Sequence, residues 1–235
     1  MDFLAGEVLL INKPKEWTSF DVVNKIRYLI KRKFNLKKIK VGHAGTLDPL
    51  ATGLLIICTG KKTKTIVNFS ELNKEYIAKV TVGGITPSFD KETEITEQFD
   101  IEHITEDLLV DTLKSFLGKQ EQTPPIYSAK KINGEKAYVK ARKGEDVKMK
   151  TAIVDFQEIE LLEHSLPNSA TIRLKVSKGT YIRSFANDLG KRMNSGAYLE
   201  ELQRTFIGDY KLSDAYEIEE FVQLVNNLNS TNTHI

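Results

Sequence analysis

The chain has 235 residues, of which 40% are hydrophobic and 28% charged, and its formal net charge is +2. A chain of this length and composition can bury a sizeable core, which excludes a disordered or fibrous protein and suits one large domain. One cysteine excludes a disulfide framework, and the apolar run from Val8 to Ile11 is too short for a signal peptide or a membrane span, so we expect a cytoplasmic protein.

The first part of the chain predicts two buried strands with a helix between them, followed by a half-buried strand. Val8 to Asn12 and Leu54 to Thr59 are apolar runs of strand length. Thr18, with Asp21 three residues later, is typical of a capping box that opens a helix. From Tyr76 to Val82 two sets of residues alternate in the way that indicates a strand with one face buried.

The rest of the chain predicts a strand pair and three helices. A helix is expected after Thr105, and Ile153 to Leu162 with Ala170 to Val176 predict an antiparallel pair. The other two helices are predicted from Phe185 to Met193 and from Ile218 to Leu228. Because strands and helices do not alternate regularly, the expected fold class is α+β, with a mixed or antiparallel sheet and flanking helices.

One segment, Gly42 to Gly53 with the sequence GHAGTLDPLATG, places a single carboxylate among small residues. Its three glycines let the backbone turn and approach a ligand closely, and Pro49 favours an extended conformation at Asp48. The residue pattern therefore makes Asp48 the candidate reactive group. The alternative is an Asx turn, in which Asp48 only accepts hydrogen bonds from nearby backbone amides.

Basic residues flank this segment on both sides. The residues are Lys31, Arg32, Lys33, Lys37, Lys38 and Lys40 before it, and Lys61, Lys62 and Lys64 after the next strand. A second cluster comprises Lys130, Lys131, Lys136, Lys140, Arg142 and Lys143. Such runs can be solvated faces, but around a candidate reactive carboxylate they favour a polyanionic ligand.

Several familiar sites are excluded by spacing. The sequence Gly60-Lys61-Lys62 lacks the pattern of a phosphate-binding P-loop, and Gly83-Gly84 is no dinucleotide fingerprint. Four scattered histidines and one cysteine do not make a zinc site. We therefore expect chemistry without a cofactor and without a metal.

Two further residues are candidates for the site. Arg183 stands where a strand meets a helix, and a guanidinium beside a carboxylate would keep it ionised, although an ordinary surface arginine is the alternative. Tyr76 is either a half-buried strand aromatic or a platform for a nucleobase.

The motifs, taken in order, resemble those of one known family. They are residues 42–53, then KEY at 74–76, QTPPIYSAKK at 122–131, AR at 141–142 and SKGTYIR at 177–183. In this order they resemble the TruB family of tRNA pseudouridine synthases. The sequence Asn12-Lys13-Pro14, and Gly196-Ala197 with Leu202 and Arg204, extend the resemblance over nearly the whole chain.

The resemblance implies the pseudouridine-synthase fold, which is an α+β fold with a catalytic cleft, and isomerisation of uridine 55 in the tRNA T loop to pseudouridine. It implies that Asp48 attacks or assists at the sugar and that Tyr76 stacks on the everted base. It also makes Arg183 catalytic, as the cation that keeps Asp48 ionised.

The resemblance also implies how the RNA is held and how the chain is divided. Substrate contacts are expected from His43, Tyr76, Tyr181 and Leu202, and RNA-backbone contacts from Lys64, Lys131 and Arg142. The catalytic domain is expected over residues 1–228, with a thumb-like RNA-binding excursion at about 120–150 and a polar tail at 229–235. Members commonly carry a C-terminal PUA domain, and the expectation is that this chain ends before one.

The implied partner is the T stem-loop of tRNA, bound by a monomer without a guide RNA, an obligatory protein partner or a membrane. Three alternatives stay open at this point. The first is a tRNA-folding chaperone that uses the same cleft, the second is a guide-RNA-dependent synthase, and the third is a nucleoside or glycoside hydrolase that uses Asp48.

Overall fold

The computed structural model describes residues 1–128, 130–132, 134–143 and 149–228. The chain divides into two compact units, of which unit 1 comprises residues 1–76 and the segment from 203 onward, and unit 2 comprises residues 77–202. The expected polar tail at 229–235 lies outside the described residues.

The strands are, in chain order, β1 (Val8–Lys13), β2 (Val41–Ala44), β3 (Thr52–Thr59), β4 (Lys74–Val82), β5 (Gly84–Ile85), β6 (Glu97–Gln98), β7 (Gly118–Gln122), β8 (Lys131–Ile132), β9 (Glu135–Lys136), β10 (Ala152–Ser165), β11 (Ser169–Val176), β12 (Ala197–Ile207) and β13 (Tyr210–Lys211). The helices are α1 (Ser19–Lys33), α2 (Ile66–Glu71), α3 (Glu106–Lys114), α4 (Ala137–Arg142), α5 (Ile182–Arg192) and α6 (Ile218–Asn227). Short 3-10 helices cover Gly60–Thr65 and Leu212–Asp214.

Unit 1 is built around β3, which is apolar along almost its whole length and pairs on both edges. Strand β1 runs antiparallel to β3, from Val8 opposite Cys58 to Lys13 opposite Gly53, and β2 is also antiparallel to β3. Strand β12 is parallel to β3, with Arg204 opposite Gly53. The register thus brings the end of β1, the start of β3 and the C-terminal part of β12 to one place in the sheet.

Helix α1 covers this sheet and confirms the predicted capping box. The Thr18 side chain accepts a hydrogen bond from Asp21 N (3.0 Å), and the Asp21 carboxylate accepts one from Thr18 N (2.8 Å). The buried face of α1 packs with β1 and α6 into one apolar cluster, which includes Leu9, Ile26 and Phe221. The helical period therefore decides which side of α1 faces the sheet.

Unit 2 contains the predicted antiparallel pair. Strand β10 pairs with β11 on one edge and with β7 on the other, both antiparallel. The predicted helix after Thr105 is α3, and the Thr105 side chain caps it by accepting from Leu108 N. Helix α5 begins at Ile182, three residues before the predicted start at Phe185. The apolar pattern did not reveal this first turn, because Arg183 and Ser184 in it are polar although they are buried.

The strand pairings confirm the expected fold class. All pairings named above are antiparallel except that of β3 with β12. Cys58 is fully buried, as expected of a small apolar side chain, and burial raises the pKa of its thiol to about 11. Among the described residues, no helix has the length and apolarity needed to cross a membrane.

The segment expected to be an excursion, at about 120–150, is built into unit 2 at its start. Strand β7 pairs with β10, and Gln122 and Ser128 are buried. Within the described part, β8 and β9 then form a short hairpin that leads into α4. The segment that lies outside the main sheet therefore begins after Gln122, the last residue of β7, and not at residue 120.

The capping box of α1 yields a test of how the helix is anchored. Thr18→Ala should lower the free energy of unfolding by about 1 kcal/mol, because Asp21 N loses the hydroxyl that accepts its hydrogen bond and the Asp21 carboxylate loses the hydroxyl that donates to it. Thr18→Ser, which keeps the hydroxyl, is the matched control and should stay close to the parent protein in urea unfolding. Equal stability of the alanine and serine variants would contradict the assignment.

Candidate active site

The loop that carries Asp48 connects β2 to β3 in unit 1. We call residues 45–51 the Asp48 loop. It begins at Gly45, where φ is +82°, and is followed by Gly53, where φ is +103°; both values lie in the left-handed region that favours glycine. The two glycines thus let the chain leave β2 and enter β3 within a short span, with Asp48 half-buried between them.

The backbone on both sides of Asp48 is held by hydrogen bonds from other parts of unit 1. Leu47 N donates to Ser19 Oγ (2.8 Å), and Ser19 Oγ donates in return to Leu47 O (3.1 Å). On the other side, Pro49 O accepts from Glu16 N at 2.8 Å. The loop therefore presents the carboxylate from a restrained backbone.

Lys13 lies fully buried at the end of β1 and also binds this loop. Its Nζ donates to the carbonyl oxygens of Pro14 (2.9 Å), Trp17 (2.6 Å) and Pro49 (3.3 Å), which matches the three N–H donors of an ammonium group. Burial lowers the pKa of Lys13 to about 8, while the charge of Asp48 acts in the opposite direction. A buried cation therefore stands within electrostatic reach of Asp48.

Arg204 is a second buried cation at the same loop. It is only 1% exposed, and its Nε donates to Leu54 O (2.8 Å) while Nη2 donates to Gly45 O (3.0 Å). Gly45 is the first residue of the Asp48 loop, and Leu54 follows the loop in β3. The residue patterns did not identify a role for Arg204 or for Lys13, although both belong to motifs of the family resemblance. For Lys13 one signal was available, because it occupies a buried position in the alternation of β1.

His43 precedes the loop in β2 and is half-buried. Burial first, and then the charge of Arg204, lowers the pKa of the imidazole below its usual value, so the ring is neutral at pH 7. Its buried Nδ1 has no hydrogen-bond partner among the described residues. The imidazole therefore carries one buried nitrogen that no described residue satisfies.

Tyr76 lies in β4 and is the last residue of the first segment of unit 1, with its side chain largely buried. It shares its strand face with Lys74, whose Nζ donates to Ser70 O (2.6 Å) and Leu72 O (2.5 Å). The alternation predicted for this strand is confirmed. Tyr76 is only 8% exposed, so it is more buried than the half-buried strand aromatic that the sequence suggested as one alternative.

Arg183 belongs to unit 2, where it lies in the first turn of α5 and is 4% exposed. Its Nε stands 3.6 Å from Oδ2 of the buried Asp90, and its Nη1 and Nη2 donate to Ser88 O (3.1 Å) and Tyr127 O (2.9 Å). The alternative of an ordinary surface arginine is therefore wrong. Sequence reasoning missed Asp90 as its partner, because Asp90 stands at the start of an acidic stretch that showed no pattern of burial.

Tyr181 and Leu202 also belong to unit 2. Tyr181 precedes α5 as its N-cap residue, and Gln122 ties its backbone in both directions: Oε1 accepts from Tyr181 N (2.8 Å), and Nε2 donates to Tyr181 O (3.1 Å). Leu202 is half-buried in β12. The structure thus fixes the backbone at the start of α5, one residue before Ile182 and two before Arg183.

The three expected RNA-backbone contacts are divided between the units. Lys64 is exposed on the 3-10 helix of unit 1, whereas Lys131 lies in β8 and Arg142 at the end of α4 in unit 2. In the same part of unit 2, Lys140 and Lys143 both pair with Glu135, at 3.6 and 2.8 Å. This glutamate offsets part of the second basic cluster.

Unit 1 therefore brings together Asp48, His43 and the buried cations Lys13 and Arg204, while unit 2 brings together Arg183 and Asp90. Tyr76 also belongs to unit 1, at the end of its first segment. In the part of the chain that the structure describes, no three His, Cys, Asp or Glu side chains are grouped as metal ligands. The chemistry that this inventory offers is that of a carboxylate, a phenol and guanidinium groups.

Comparison with known proteins identifies the family. The family model described as TruB family pseudouridylate synthase (N terminal domain) matches residues 31–182. Relatives called tRNA pseudouridine synthase B are 56% identical in Phocaeicola vulgatus, over 94% of both chains, and 50% identical in Flavobacterium johnsoniae, over 94% of this chain and 96% of that protein.

Solved structures agree with this match. A chain of a Cbf5-Nop10-Gar1 complex has a TM-score of 0.70 at 28% identity over 94% of this chain, and a chain of an H/ACA RNP bound to a substrate RNA containing 2'-deoxyuridine has a TM-score of 0.66 at 26% identity. The present chain spans 54% and 53% of those two chains, so it corresponds to about half of each. The family match over more than half of its length and the identity to relatives of nearly equal length establish that the chain belongs to the TruB family of pseudouridylate synthases.

Proposed function

We propose that this pseudouridine synthase acts on tRNA and isomerises uridine 55 in the T loop, with Asp48 as the reacting carboxylate. The observation that carries the proposal is Asp48 itself, which stands in the family motif on a loop held by Ser19, Lys13 and Arg204. The tRNA substrate is supported by the names of relatives that match 94% of the chain.

The chemistry needs one carboxylate and no external reactant. The bond between N1 of the uracil and C1′ of the ribose breaks with assistance from Asp48 at the sugar. The detached uracil turns, a bond forms between C5 and C1′, C5 loses its proton and N1 gains one. Because the product is an isomer of the substrate, no water and no redox equivalent is consumed.

Two further residues complete the proposed catalytic set. Tyr76 stacks on the everted uracil and assists removal of the C5 proton, and its largely buried position suits an aromatic platform. Arg183 supplies the guanidinium, which Asp90, Ser88 and Tyr127 hold in one orientation. A bound guanidinium of fixed orientation suits a site that must place charge accurately.

The remaining residues bind the RNA. His43, as a neutral imidazole, contacts bases of the T loop, and Tyr181 and Leu202 line the nucleotide pocket. Lys64, Lys131 and Arg142 contact phosphates and supply affinity without sequence selectivity. The protein acts as a cytoplasmic monomer without a guide RNA or a protein partner.

Replacement of the reacting carboxylate tests the proposal directly. Asp48→Asn keeps the size of the side chain but removes its charge, so the rate of tritium release from tRNA labelled at C5 of uridine should fall more than about 1000-fold. The affinity for tRNA, measured by filter binding, should change less than about threefold, because phosphate contacts dominate it. Asp209→Asn, at an exposed position of unit 1, is the matched control and should retain the parent rate.

The outcomes separate the alternatives. The parent protein alone should form pseudouridine at position 55 and release no free uracil. Free uracil among the products would indicate a hydrolase, a requirement for added guide RNA would indicate a guided enzyme, and an active Asp48→Asn variant would leave RNA binding and refolding as the role of the chain. Each of these results contradicts the proposal.

The phosphate contacts are tested by salt dependence. Lys64→Ala should weaken tRNA binding and reduce the slope of log K against log salt by about one, while the rate at saturating tRNA stays unchanged. The same change is expected for Arg142→Ala. Lys211→Ala, at an exposed position of unit 1, is the control and should leave the slope unaltered; an unaltered slope for Lys64→Ala would remove that residue from the interface.

A further inference from the structure

We propose that Arg204 is a positioning residue for catalysis. Its guanidinium joins Gly45, at the start of the Asp48 loop, to Leu54, which follows the loop in β3, and so fixes the direction of the Asp48 carboxylate. The proposal rests on the function proposed above for Asp48. It concerns a side chain that stands outside the proposed catalytic and RNA-binding set.

The first support is the place of Arg204 in the sheet. It lies in β12 opposite Gly53 of β3, and these two strands are parallel there. A Cβ atom added to Gly53 would stand 2.4 Å from Arg204 O, which shows that the two backbones are in direct contact. Only a glycine at this position lets the two strands approach so closely.

The second support is the geometry of the guanidinium. Nε binds Leu54 O and Nη2 binds Gly45 O, at 2.8 and 3.0 Å, so one rigid planar group spans the positions that enclose the loop. A Cβ atom added to Gly45 would stand 3.4 Å from Nη1, so the guanidinium also packs against the loop backbone. A lysine could reach one of these carbonyls but does not have the two-pronged shape that holds both.

The third support is the cost of placing a charge there. Both hydrogen bonds of Arg204 found among the described residues go to neutral carbonyls, and a cation buried against such groups is expensive to desolvate. Its charge reaches residues around the loop, since it lowers the pKa of His43 and that of Lys13. A tie that served stability alone would not need a charge, whereas a loop that presents a carboxylate gains from one.

The test compares a variant that keeps the charge at position 204 with a control that loses the hydrogen bonds of an arginine in unit 2. Arg204→Lys keeps the charge and removes the two-pronged tie. Arg192→Lys is the control, because the Arg192 guanidinium also joins two residues, through Ser115 O (3.0 Å), Ser115 Oγ (2.8 Å) and Gln120 Oε1 (3.0 Å), away from the Asp48 loop. Each variant is assayed for the single-turnover rate at saturating tRNA, for tRNA affinity and for backbone amide exchange.

For Arg204→Lys we expect the rate at saturating tRNA to fall on the order of 100-fold, since a misplacement of about 1 Å has an effect of that size. Affinity should stay within about threefold of the parent. Exchange at the amides of Leu47 and Ala51 should rise while that in α1 does not. Arg192→Lys should keep the parent rate. A parental rate for folded Arg204→Lys, or a loss confined to affinity, would overturn the proposal.

Gly45→Ala provides a second variant if Arg204→Lys does not fold. It leaves Arg204 unchanged but strains the loop at a φ of +82°, so the same loss of rate without loss of affinity is expected. A parental rate would again overturn the proposal. If the parent protein forms no pseudouridine, the proposed function fails. The change in loop exchange for Arg204→Lys still decides whether Arg204 holds the loop.

Discussion

Two buried cations beneath one loop are the constraint on which the rest of unit 1 depends. Lys13 and Arg204 have almost no solvent contact, and each must find hydrogen-bond acceptors inside the protein because a buried charge without them is strongly unfavourable. They find backbone carbonyls at Gly45, Pro49 and Leu54. The need of the cations for acceptors and the need of the loop for anchors are met by the same hydrogen bonds.

This arrangement explains how one carboxylate can be sufficient. An isomerisation that returns the base to the same sugar needs neither a second carboxylate to activate water nor a metal to generate a nucleophile. It needs a carboxylate whose direction is set before the substrate arrives, since accurate placement of reacting groups accounts for a large part of the rate that an enzyme gains. Ser19 and Arg204 restrain the backbone around Asp48, which under the proposed function sets that direction.

Unit 2 also contains a buried cation that is held by hydrogen bonds, but there the cation is the group being oriented. Arg183 is the buried cation of functional interest there, and Asp90, with two backbone carbonyls, fixes its orientation. The sequence led to the expectation that the carboxylate served by Arg183 is Asp48. Within unit 2 the carboxylate beside it is Asp90, which Ser88 Oγ binds in turn at 2.6 Å. An arginine in such a cluster is pre-organised, so little rotamer freedom remains to be lost when a substrate binds.

Much of the fold, and the proposal that Asp48 is the reacting carboxylate, follow from the sequence because they depend on local patterns. The capping box at Thr18, the alternation of β4 and the small-residue turn at Asp48 each lie within a few residues. The positions of Arg204 and Asp90 as partners do not follow from local patterns. Arg204 binds Gly45 across 159 residues of chain, and Arg183 binds Ser88 across 95. Unlike Lys13, neither Arg204 nor Asp90 stands in an alternating pattern that marks it as buried, and the partners of the buried cations are mostly backbone carbonyls, which every residue carries. Only the tertiary structure, by pairing β12 with β3 and packing α5 in unit 2, decides which cations are withdrawn from water and which groups they hold.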